Sequence, residues 1–387
     1  MAAALKKINI KIAALIVQFL VSVAFSLMGS FMPLYIETDL KYPLIEATYW
    51  TGILQLVSSS LFALTAPVWG HLCDRVGIKK ITMIIIAANS IVYAGTSFSS
   101  SIPQLLLLRA LQGSFGGIST AMFSLVALIT SEKELKKAMS YQMAMMTAGS
   151  LIGPGIGGTI ASIVGYRFTF VASSLFFIAV VPLVYLINVP PPKRETGETA
   201  SIGLSDLKSI LPDIVSLVLV YACIGFIVPV IPWFLGVYGV PDEQLLIYTT
   251  AATMLNGLAF IIAAPLLTRV VSNRTLPLLS GVAAAAILST AFVNDAFQFI
   301  ALRVAIGGIQ AGIPPSLLGG RNRKGTVMGF LNSARFFGMA IGPFVATSIL
   351  GNGQGSAPMN MYLTMTMLSA TAAVVIYLSH RKTSSER

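Results

Sequence analysis

The sequence has few charged residues for its length. Charged side chains make up 10% of its 387 residues, hydrophobic ones make up 56%, and the mean hydropathy is +0.84. A soluble globular domain carries about 25% charged residues, so this chain cannot cover itself with a water-exposed surface. The composition therefore excludes an ordinary soluble protein and predicts a chain in contact with lipid.

Residues that ligate metals or form disulfides are also scarce. The two cysteines, Cys73 and Cys223, lie far apart and show neither a disulfide framework nor a metal-ligand spacing. The only histidines, His71 and His380, fall in or beside segments predicted to be cytoplasmic. No serine in a span has an identifiable base partner. We therefore expect no metal, no cofactor and no enzymatic activity.

Long apolar runs are what the chain has instead. A membrane-spanning helix needs about 20 mostly apolar residues, and the sequence predicts twelve of them in an all-α membrane protein. The first run is too long for a signal peptide and no convincing cleavage site follows it, so we expect it to be retained. The predicted spans are 13–36, 49–71, 80–99, 103–129, 138–163, 167–188, 212–235, 245–267, 276–294, 297–318, 326–349 and 361–379.

The distribution of the net charge of +11 predicts the orientation of the chain. Lysine and arginine precede the first span and recur in every second loop, whereas the intervening loops carry just Lys41 and Arg167 beside several acids. Loops rich in lysine and arginine stay in the cytoplasm. We therefore predict a multi-pass protein of the plasma (inner) membrane with both termini in the cytoplasm. This pattern also explains the basic charge without a nucleic-acid partner.

Matched landmarks indicate an internal duplication. The segment Gly149–Pro154 recurs as Gly338–Pro343, and Arg109–Gly113 recurs as Arg303–Gly307, each about half a chain later. A duplicated apolar chain is typical of secondary transporters, in which a substrate site lies between the repeats near the bilayer midplane. The sequence therefore predicts two pseudo-symmetric six-helix bundles that rock about a central cavity.

A single polar interval of any length separates the two halves. Residues 190–211 contain the proline, glycine and charged side chains that are typical of a linker. We therefore predict an N-terminal bundle over 1–189, a cytoplasmic linker over 190–211 and a C-terminal bundle over 212–387. We expect a monomer in the lipid bilayer, with a small molecule as its substrate.

The loop after the second span carries a charged motif, GHLCDRVGIKK. Gly70 and Gly77 permit close helix approach and a tight turn. Asp74 can pair with Arg75 or face the N-terminus of a neighbouring helix. Together with Lys79, this cluster could latch one conformation and release in another. The alternative is an ordinary basic loop that only sets the topology.

The fifth span carries small residues around a proline. Gly149, Gly153, Gly157 and Gly158 permit near backbone contact with a neighbouring helix, and Pro154 removes a helical hydrogen bond. A dry, closely packed hinge of this kind could block leakage while the two halves move. The alternative is a packing face with no further role.

Arginine lies inside the predicted spans, whereas acidic residues do not. Arg109, Arg303 and Arg335 fall in spans four, ten and eleven, while Glu46 and Asp213 are only near helix ends. An arginine at mid-helix costs about 2.5–3.5 kcal/mol on insertion scales, so a functional role is the default interpretation. The alternative is a side chain that extends to the membrane interface. Without a carboxylate, these cations favour a neutral or anionic solute.

Three of these segments resemble motifs of the major facilitator superfamily. They are the loop GHLCDRVGIKK, with Ile78 where a basic residue is usual, the segment LRALQG around Arg109, and AGSLIGPGIGG in span five. The last is similar to the antiporter motif of the twelve-span drug:proton efflux branch. The resemblance covers essentially the whole chain. It implies alternating access, proton-coupled export, and a contact between Asp74 and the start of span eleven at Arg321–Thr326.

We therefore predict a secondary active transporter that exports small amphipathic neutral or anionic molecules, either drugs or a secreted metabolite such as a siderophore. Protons would couple through Asp74, Glu46 or Asp213. The alternatives are a facilitator or importer of an organic anion and, in a different class, a membrane receptor or scaffold. The predicted cavity combines arginine, amide and aromatic side chains: Arg109, Arg303, Arg335, Gln18, Gln112, Asn256, Asn332, Tyr35, Tyr221, Trp233 and Phe336.

Overall fold

The chain is helical throughout the part that the structure, a computed structural model, describes. That part comprises residues 10–28, 32–186, 189, 204–272, 274–319, 325–352 and 357–385. The helices of the first half are α1 (Ile10–Ser26), α2 (Met32–Thr38), α3 (Leu44–Val76), α4 (Ile78–Ser97), α5 (Ile102–Ser114), α6 (Ile118–Ile129), α7 (Glu132–Val164) and α8 (Tyr166–Leu186). Those of the second half are α9 (Leu204–Ile227), α10 (Ile231–Val237), α11 (Asp242–Val270), α12 (Leu276–Ser289), α13 (Ala296–Gln310), α14 (Ile313–Leu318), α15 (Gly325–Asn352) and α16 (Ala357–Ser385).

The helices lie where the apolar runs predict spans. Among the described residues, nine helical segments are long and apolar enough to cross a membrane. The shorter apolar helices Ile10–Ser26 and Leu276–Phe292 lie at the first and ninth predicted spans, and α15 lies at the eleventh. The predicted all-α membrane fold is thus confirmed.

Two predicted spans are interrupted, which the hydropathy did not predict. Span four divides into α5 and α6 at Phe115–Gly117, and span ten divides into α13 and α14 at Ala311–Gly312. At the first break, Trp69 Nε1 donates to the carbonyl of Ser114 at 2.7 Å, and Asn89 Nδ2 donates to that of Phe115 at 2.8 Å. A helix can break inside a membrane where side chains satisfy the freed carbonyls, and here two do.

The chain forms two compact units. Unit 1 comprises Met1–Ser131, Met145–Ile202 and Arg321–Ser333, and unit 2 comprises Glu132–Ala144, Gly203–Gly320 and Ala334–Arg387. Each unit therefore contains one segment from the opposite half of the sequence. The predicted bundles 1–189 and 212–387 stay a prediction. The predicted linker 190–211 lies largely outside the described residues, and 204–211 form the start of α9.

Helix pairing inside unit 1 is repeated inside unit 2. In unit 1, α4 packs along α8, α3 along α5, and α1 along α8. In unit 2, the corresponding pairs are α12 with α16, α11 with α13, and α9 with α16. Spans three and six, two and four, and one and six of the first half thus have counterparts six spans later. The repeated pairing is what an internal duplication predicts.

Glycines set the separation between α7 and α1 in unit 1. A Cβ built on Gly149 would lie 2.5 Å from the carbonyl oxygen of Phe19, and one on Gly153 would lie 3.0 Å from that of Val23. A Cβ on Gly157 would overlap the backbone of Leu27. The close backbone contact predicted for these three glycines is present, while their role as a hinge stays a prediction. Pro154 and Gly158 lie on the same helix and are half-buried.

Unit 2 contains the equivalent glycine contact between α15 and α9. A Cβ on Gly338 would fall within 3.0 Å of atoms of Ala222 and Tyr221, and one on Gly342 would fall within 3.0 Å of Phe226 N. The second copy of the motif therefore retains the packing function of the first, although the residues after its proline differ.

We predict that Gly149→Ala lowers the thermal stability of the protein, whereas Gly155→Ala does not. The added methyl at Gly149 meets backbone atoms of α1 that cannot move aside, which costs about 1–3 kcal/mol by overpacking. A methyl at Gly155, on the same helix, meets nothing within 4 Å. Melting of the purified variants in detergent, followed by tryptophan fluorescence, measures both effects. Equal melting temperatures for the two variants would contradict the packing argument.

Candidate functional site

Arg109 is held inside unit 1 by a chain of polar contacts. It lies in α5, and its Nη1 donates a hydrogen bond to Gln112 Oε1. Gln112 Nε2 donates in turn to the hydroxyl of Tyr93 on α4 at 3.0 Å, and Tyr93 also bonds to Arg109. Gln112 and Tyr93 are both buried. The guanidinium is therefore in contact with buried partners.

Arg335 is held inside unit 2 by aromatic rings. It lies in α15 and is 3% exposed. Its guanidinium carbon lies 4.5 Å from the ring centre of Phe336 and 5.8 Å from that of Tyr221, and it bonds to the Tyr221 side chain. A guanidinium over an aromatic face is attracted by the negative face of the ring, and more strongly when water is excluded. The predicted cavity residues Arg335, Tyr221 and Phe336 are thus in contact with one another.

Arg303, in α13 of unit 2, has a different environment. The residue is 7% exposed, and its Nε is buried with no hydrogen-bond partner among the described residues. Its main-chain oxygen accepts a hydrogen bond of 2.7 Å from Asn256 Nδ2. Cys223 and Tyr362 lie close enough to interact with the guanidinium electrostatically. Gln310 Nε2 lies 3.7 Å from Cys223 Sγ.

The contacts shown for Gln18, Asn332 and Tyr35 are with residues other than these arginines. Gln18 is buried in α1 and donates to Ser22 at 3.2 Å. Asn332 is buried in unit 1 and donates to Thr120 at 2.9 Å. Tyr35 is fully buried, and its hydroxyl lies 3.0 Å from the carbonyl oxygen of Ser99.

Aromatic packing surrounds Trp233 and Tyr35. The Trp233 ring lies 5.1 Å from the ring of Phe234 and borders the core of unit 2. Tyr35 packs edge-on against Phe170 and lies beneath Arg167, whose Nε pairs with Asp39 at 2.9 Å. These contacts hold the ends of neighbouring helices together within each unit. Cavity roles for Trp233 and Tyr35 stay predictions.

Four polar residues around the arginines were not predicted from the sequence. Tyr93, Tyr238 and Tyr362 lie in or beside apolar segments, where a tyrosine is indistinguishable from a core residue. Gln310 did offer a signal. It follows Arg303 by seven residues in one helix, so both side chains lie on the same face.

Asp74 contacts the start of span eleven, as the resemblance implies. One carboxylate oxygen, Oδ2, accepts hydrogen bonds from the backbone N and the hydroxyl of Thr326, both at 2.8 Å. Thr326 is the second residue of α15, so the acid lies at the helix N-terminus, where the dipole favours negative charge. The neighbouring cations Arg321, Arg323 and Lys324 lie outside the described residues.

Other residues of the charged loop shape and anchor it. Gly77 separates α3 from α4 with φ 105°, a conformation that favours glycine. Lys79 Nζ donates to the carbonyl oxygen of Tyr185 at 2.5 Å, near the C-terminus of α8, where the helix dipole favours a cation. Gly70 is buried and Arg75 is exposed. The role of this loop as a gate stays a prediction.

The first turns of α15 contact α3 at further points within unit 1. A Cβ on Gly329 would lie 2.5 Å from the carbonyl oxygen of Ala66, and Ser333 Oγ donates to the carbonyl oxygen of Ala63 at 2.5 Å. Unit 2 has a related contact without charge, because Thr268 on α11 donates to Ser140 on α7 at 3.2 Å.

The other two proton-coupling candidates differ in location. Glu46 is exposed in the first turn of α3, and Trp50 Nε1 lies 3.4 Å from its carboxylate. Asp213 is the fourth residue of the apolar candidate span Ile210–Ile227, near the end of the span as predicted, although α9 itself begins earlier, at Leu204. Polar residues before the apolar run extend the helix beyond the limit that hydropathy suggests.

A family model, curated relatives and a solved structure all resemble this chain over most of its length. A family model described as Major Facilitator Superfamily matches residues 14–343. Multidrug resistance protein MdtG of Proteus mirabilis is 26% identical over 309 residues, which cover 77% of this chain and 77% of that protein. The protein of the same name from Rahnella sp. is 26% identical over 375 residues, which cover 93% of this chain and 89% of that protein. The crystal structure of the human organic anion transporter MFSD10 (TETRAN) has the same fold, with a TM-score of 0.65, 15% identity, and coverage of 96% of this chain and 98% of that one.

We predict that Asp74 and Thr326 act as one unit in stabilising the protein. Thr326→Val keeps the shape of the side chain but removes a hydrogen bond to a charged group, which costs about 1.5–3 kcal/mol. Thr326→Ser keeps the hydroxyl and is the matched control. In an Asp74→Ala background, Thr326→Val should cost little more, because the acceptor is already absent. Melting of the purified variants in detergent gives this double-mutant cycle, and fully additive losses would contradict the contact.

Proposed function

The chain belongs to the major facilitator superfamily, and on that premise we propose that it exports small amphipathic molecules, neutral or anionic, in exchange for protons. It is a membrane transporter and not an enzyme. The proposed substrates are drugs or a secreted metabolite such as a siderophore. We place it as a monomer in the plasma (inner) membrane with both termini in the cytoplasm.

Two kinds of observation support export. The relatives in Proteus mirabilis and Rahnella sp. are named multidrug resistance proteins. In span five, the glycines of the antiporter-like motif lie directly against the backbone of α1. Close packing of small residues excludes solvent from a helix interface, and an exporter needs such a seal against proton leakage.

The observation that carries the substrate class is the set of contacts made by the arginines. In the contacts described above, Arg109 and Arg335 meet glutamine, tyrosine and phenylalanine side chains and not carboxylates. A transported cation would lie beside uncompensated positive charge, whereas an anion would offset it. The arrangement therefore favours neutral or anionic solutes over cations.

Asp74 is the proton-coupling candidate that the geometry favours. A carboxylate accepts hydrogen bonds more strongly than a protonated carboxyl group. Protonation of Asp74 would therefore weaken its hold on the N-terminus of α15. A contact that is present in one state and absent in another would allow a proton to bias the equilibrium between the two states.

We predict that an inward-acid pH gradient drives uptake of an amphipathic organic anion into inside-out vesicles that contain the protein. The expected signal is accumulation above that of protein-free vesicles, and its loss when a protonophore collapses the gradient. Fluorescence of pyrenebutyrate inside filtered vesicles measures it. Uptake that is unaffected by the protonophore would contradict proton coupling and would indicate facilitated diffusion or substrate exchange.

We also predict that the three acidic candidates differ in the same vesicles. Asp74→Asn should abolish accumulation driven by the pH gradient but leave exchange of labelled for unlabelled substrate, which needs no net proton movement. Glu46→Gln and Asp213→Asn are the matched controls and should retain both activities. Loss of exchange as well as accumulation in Asp74→Asn would mean that the residue gates the transporter and does not couple protons. A selective loss of accumulation in either control would move the coupling site there.

A further inference from the structure

The three arginines of the spans differ in what their guanidinium groups contact. Arg109 donates to Gln112 and bonds to Tyr93. Arg335 bonds to Tyr221 and lies over two aromatic rings. Arg303 is more than nine-tenths buried, and its Nε, like the Nε of Arg335, has no hydrogen-bond partner among the described residues. What sets Arg303 apart is that the contacts shown for its guanidinium are electrostatic ones with Cys223 and Tyr362. A buried donor that is left unsatisfied carries its full desolvation cost.

A second donor lies in the same part of unit 2. The hydroxyl oxygens of Tyr238 and Tyr362 are 2.6 Å apart, and either one could be the donor. Each hydroxyl has one proton, so the pair uses one O–H and leaves the other with no acceptor in that bond. Tyr362 is 3% exposed and interacts electrostatically with Arg303. The spare O–H of this tyrosine pair and the buried Nε of Arg303 therefore lie in the same part of unit 2.

Apolar and aromatic groups surround these donors. The ring of Phe234 stacks on that of Tyr362 at 4.9 Å and lies 5.6 Å from that of Phe299. All three rings belong to the hydrophobic core of unit 2. An apolar wall with a few convergent polar groups is the usual composition of a small-molecule site. An acidic group on an aromatic or aliphatic body matches both parts of this environment.

The backbone at Arg303 is held by a side chain from the neighbouring helix α11. Asn256 Nδ2 on α11 donates to the Arg303 carbonyl at 2.7 Å, and a Cβ on Gly307 would overlap the Asn256 side chain. α13 is therefore held close to α11 at this level, which restricts the positions that the guanidinium can reach. A positioned cation loses less freedom when it binds a ligand.

We propose that Arg303, together with the Tyr238–Tyr362 pair, recognises the acidic group of the transported molecule. A carboxylate would accept hydrogen bonds from the guanidinium and from the available tyrosine O–H. We do not assign this contact to Arg109 or Arg335, because their guanidinium groups already bond to protein side chains. This inference rests on the proposed function, since it assigns one chemical group and one residue to the substrate of that transporter.

The test compares an acid with its neutral analogue. Pyrenebutyrate and pyrenebutanol share an aromatic body and differ only in the acidic group. Equilibrium dialysis against the purified full-length protein in detergent gives the dissociation constant of each. The wild-type protein should bind the acid about 10- to 100-fold more tightly than the alcohol, which is the range for a charge-assisted contact.

Variants assign that preference to the residue. Arg303→Gln should remove the preference for the acid while leaving the affinity for the alcohol unchanged, and Arg303→Lys should retain part of it. Tyr362→Phe should weaken binding of the acid about 3- to 10-fold, the loss expected for one hydrogen bond. Arg269→Gln, which removes an exposed arginine at the end of α11 in the same unit, is the matched control and should match the wild type. Size-exclusion profiles and melting temperatures exclude misfolded variants.

The possible outcomes distinguish a failure of the Arg303 binding site from a failure of the proposed export. Equal binding of the two probes by the wild type, or no binding of either, overturns the inference. So does a preference for the acid that survives in Arg303→Gln or is lost equally in Arg269→Gln. If the acid binds through Arg303 but no pH gradient moves it into vesicles, the site stands and the proposed export fails. If vesicles transport pyrenebutanol but not the acid, export stands and the inference fails.

Discussion

A guanidinium group within a membrane-spanning helix must find polar or aromatic partners, and the rest of this structure depends on how that requirement is met. Arg109 contacts an amide and a tyrosine hydroxyl, and Arg335 contacts aromatic rings and a tyrosine. No carboxylate is among these described contacts. Positive charge acts over longer distances in a medium of low dielectric constant than in water. These arginines are the physical basis for the proposal of a neutral or negative substrate. Arg303 extends the argument, because part of its hydrogen-bonding capacity remains for a ligand.

Close backbone contacts at glycine residues hold two pairs of helices together. Gly149 and Gly153 bring α7 against α1, and Gly338 and Gly342 bring α15 against α9. Because lipid tails are as apolar as the helices, such close contact replaces the hydrophobic effect as the source of stability. The first turns of α15 add a different kind of contact, in which Asp74 accepts two hydrogen bonds from a helix N-terminus. The glycine contacts contain no titratable group, whereas this contact contains a carboxylate.

Hydropathy and resemblance together predicted most of the fold and part of the site. Long apolar runs located the spans because length and composition decide whether a helix crosses lipid. The break between α5 and α6 could not be predicted, because it depends on Trp69 and Asn89 reaching carbonyl oxygens from other helices. The contact of Asp74 with the segment Arg321–Thr326 followed from the resemblance, and the structure shows Thr326 as its partner. Tyr93 and Tyr362 were missed because burial in an apolar span conceals the polar end of a tyrosine until the packing is known.

We propose that positive charge in the interior of the transporter selects against cationic substrates. A comparison of two transport rates is the most direct test of this proposal. Proteoliposomes containing the wild-type protein would be given two fluorescent solutes with the same pyrene body, one ending in a carboxylate and one in a quaternary ammonium group. The account predicts that the anion is transported at least about tenfold faster, since a factor of ten corresponds to about 1.4 kcal/mol. Transport of the permanently charged cation at the same rate or faster would contradict it.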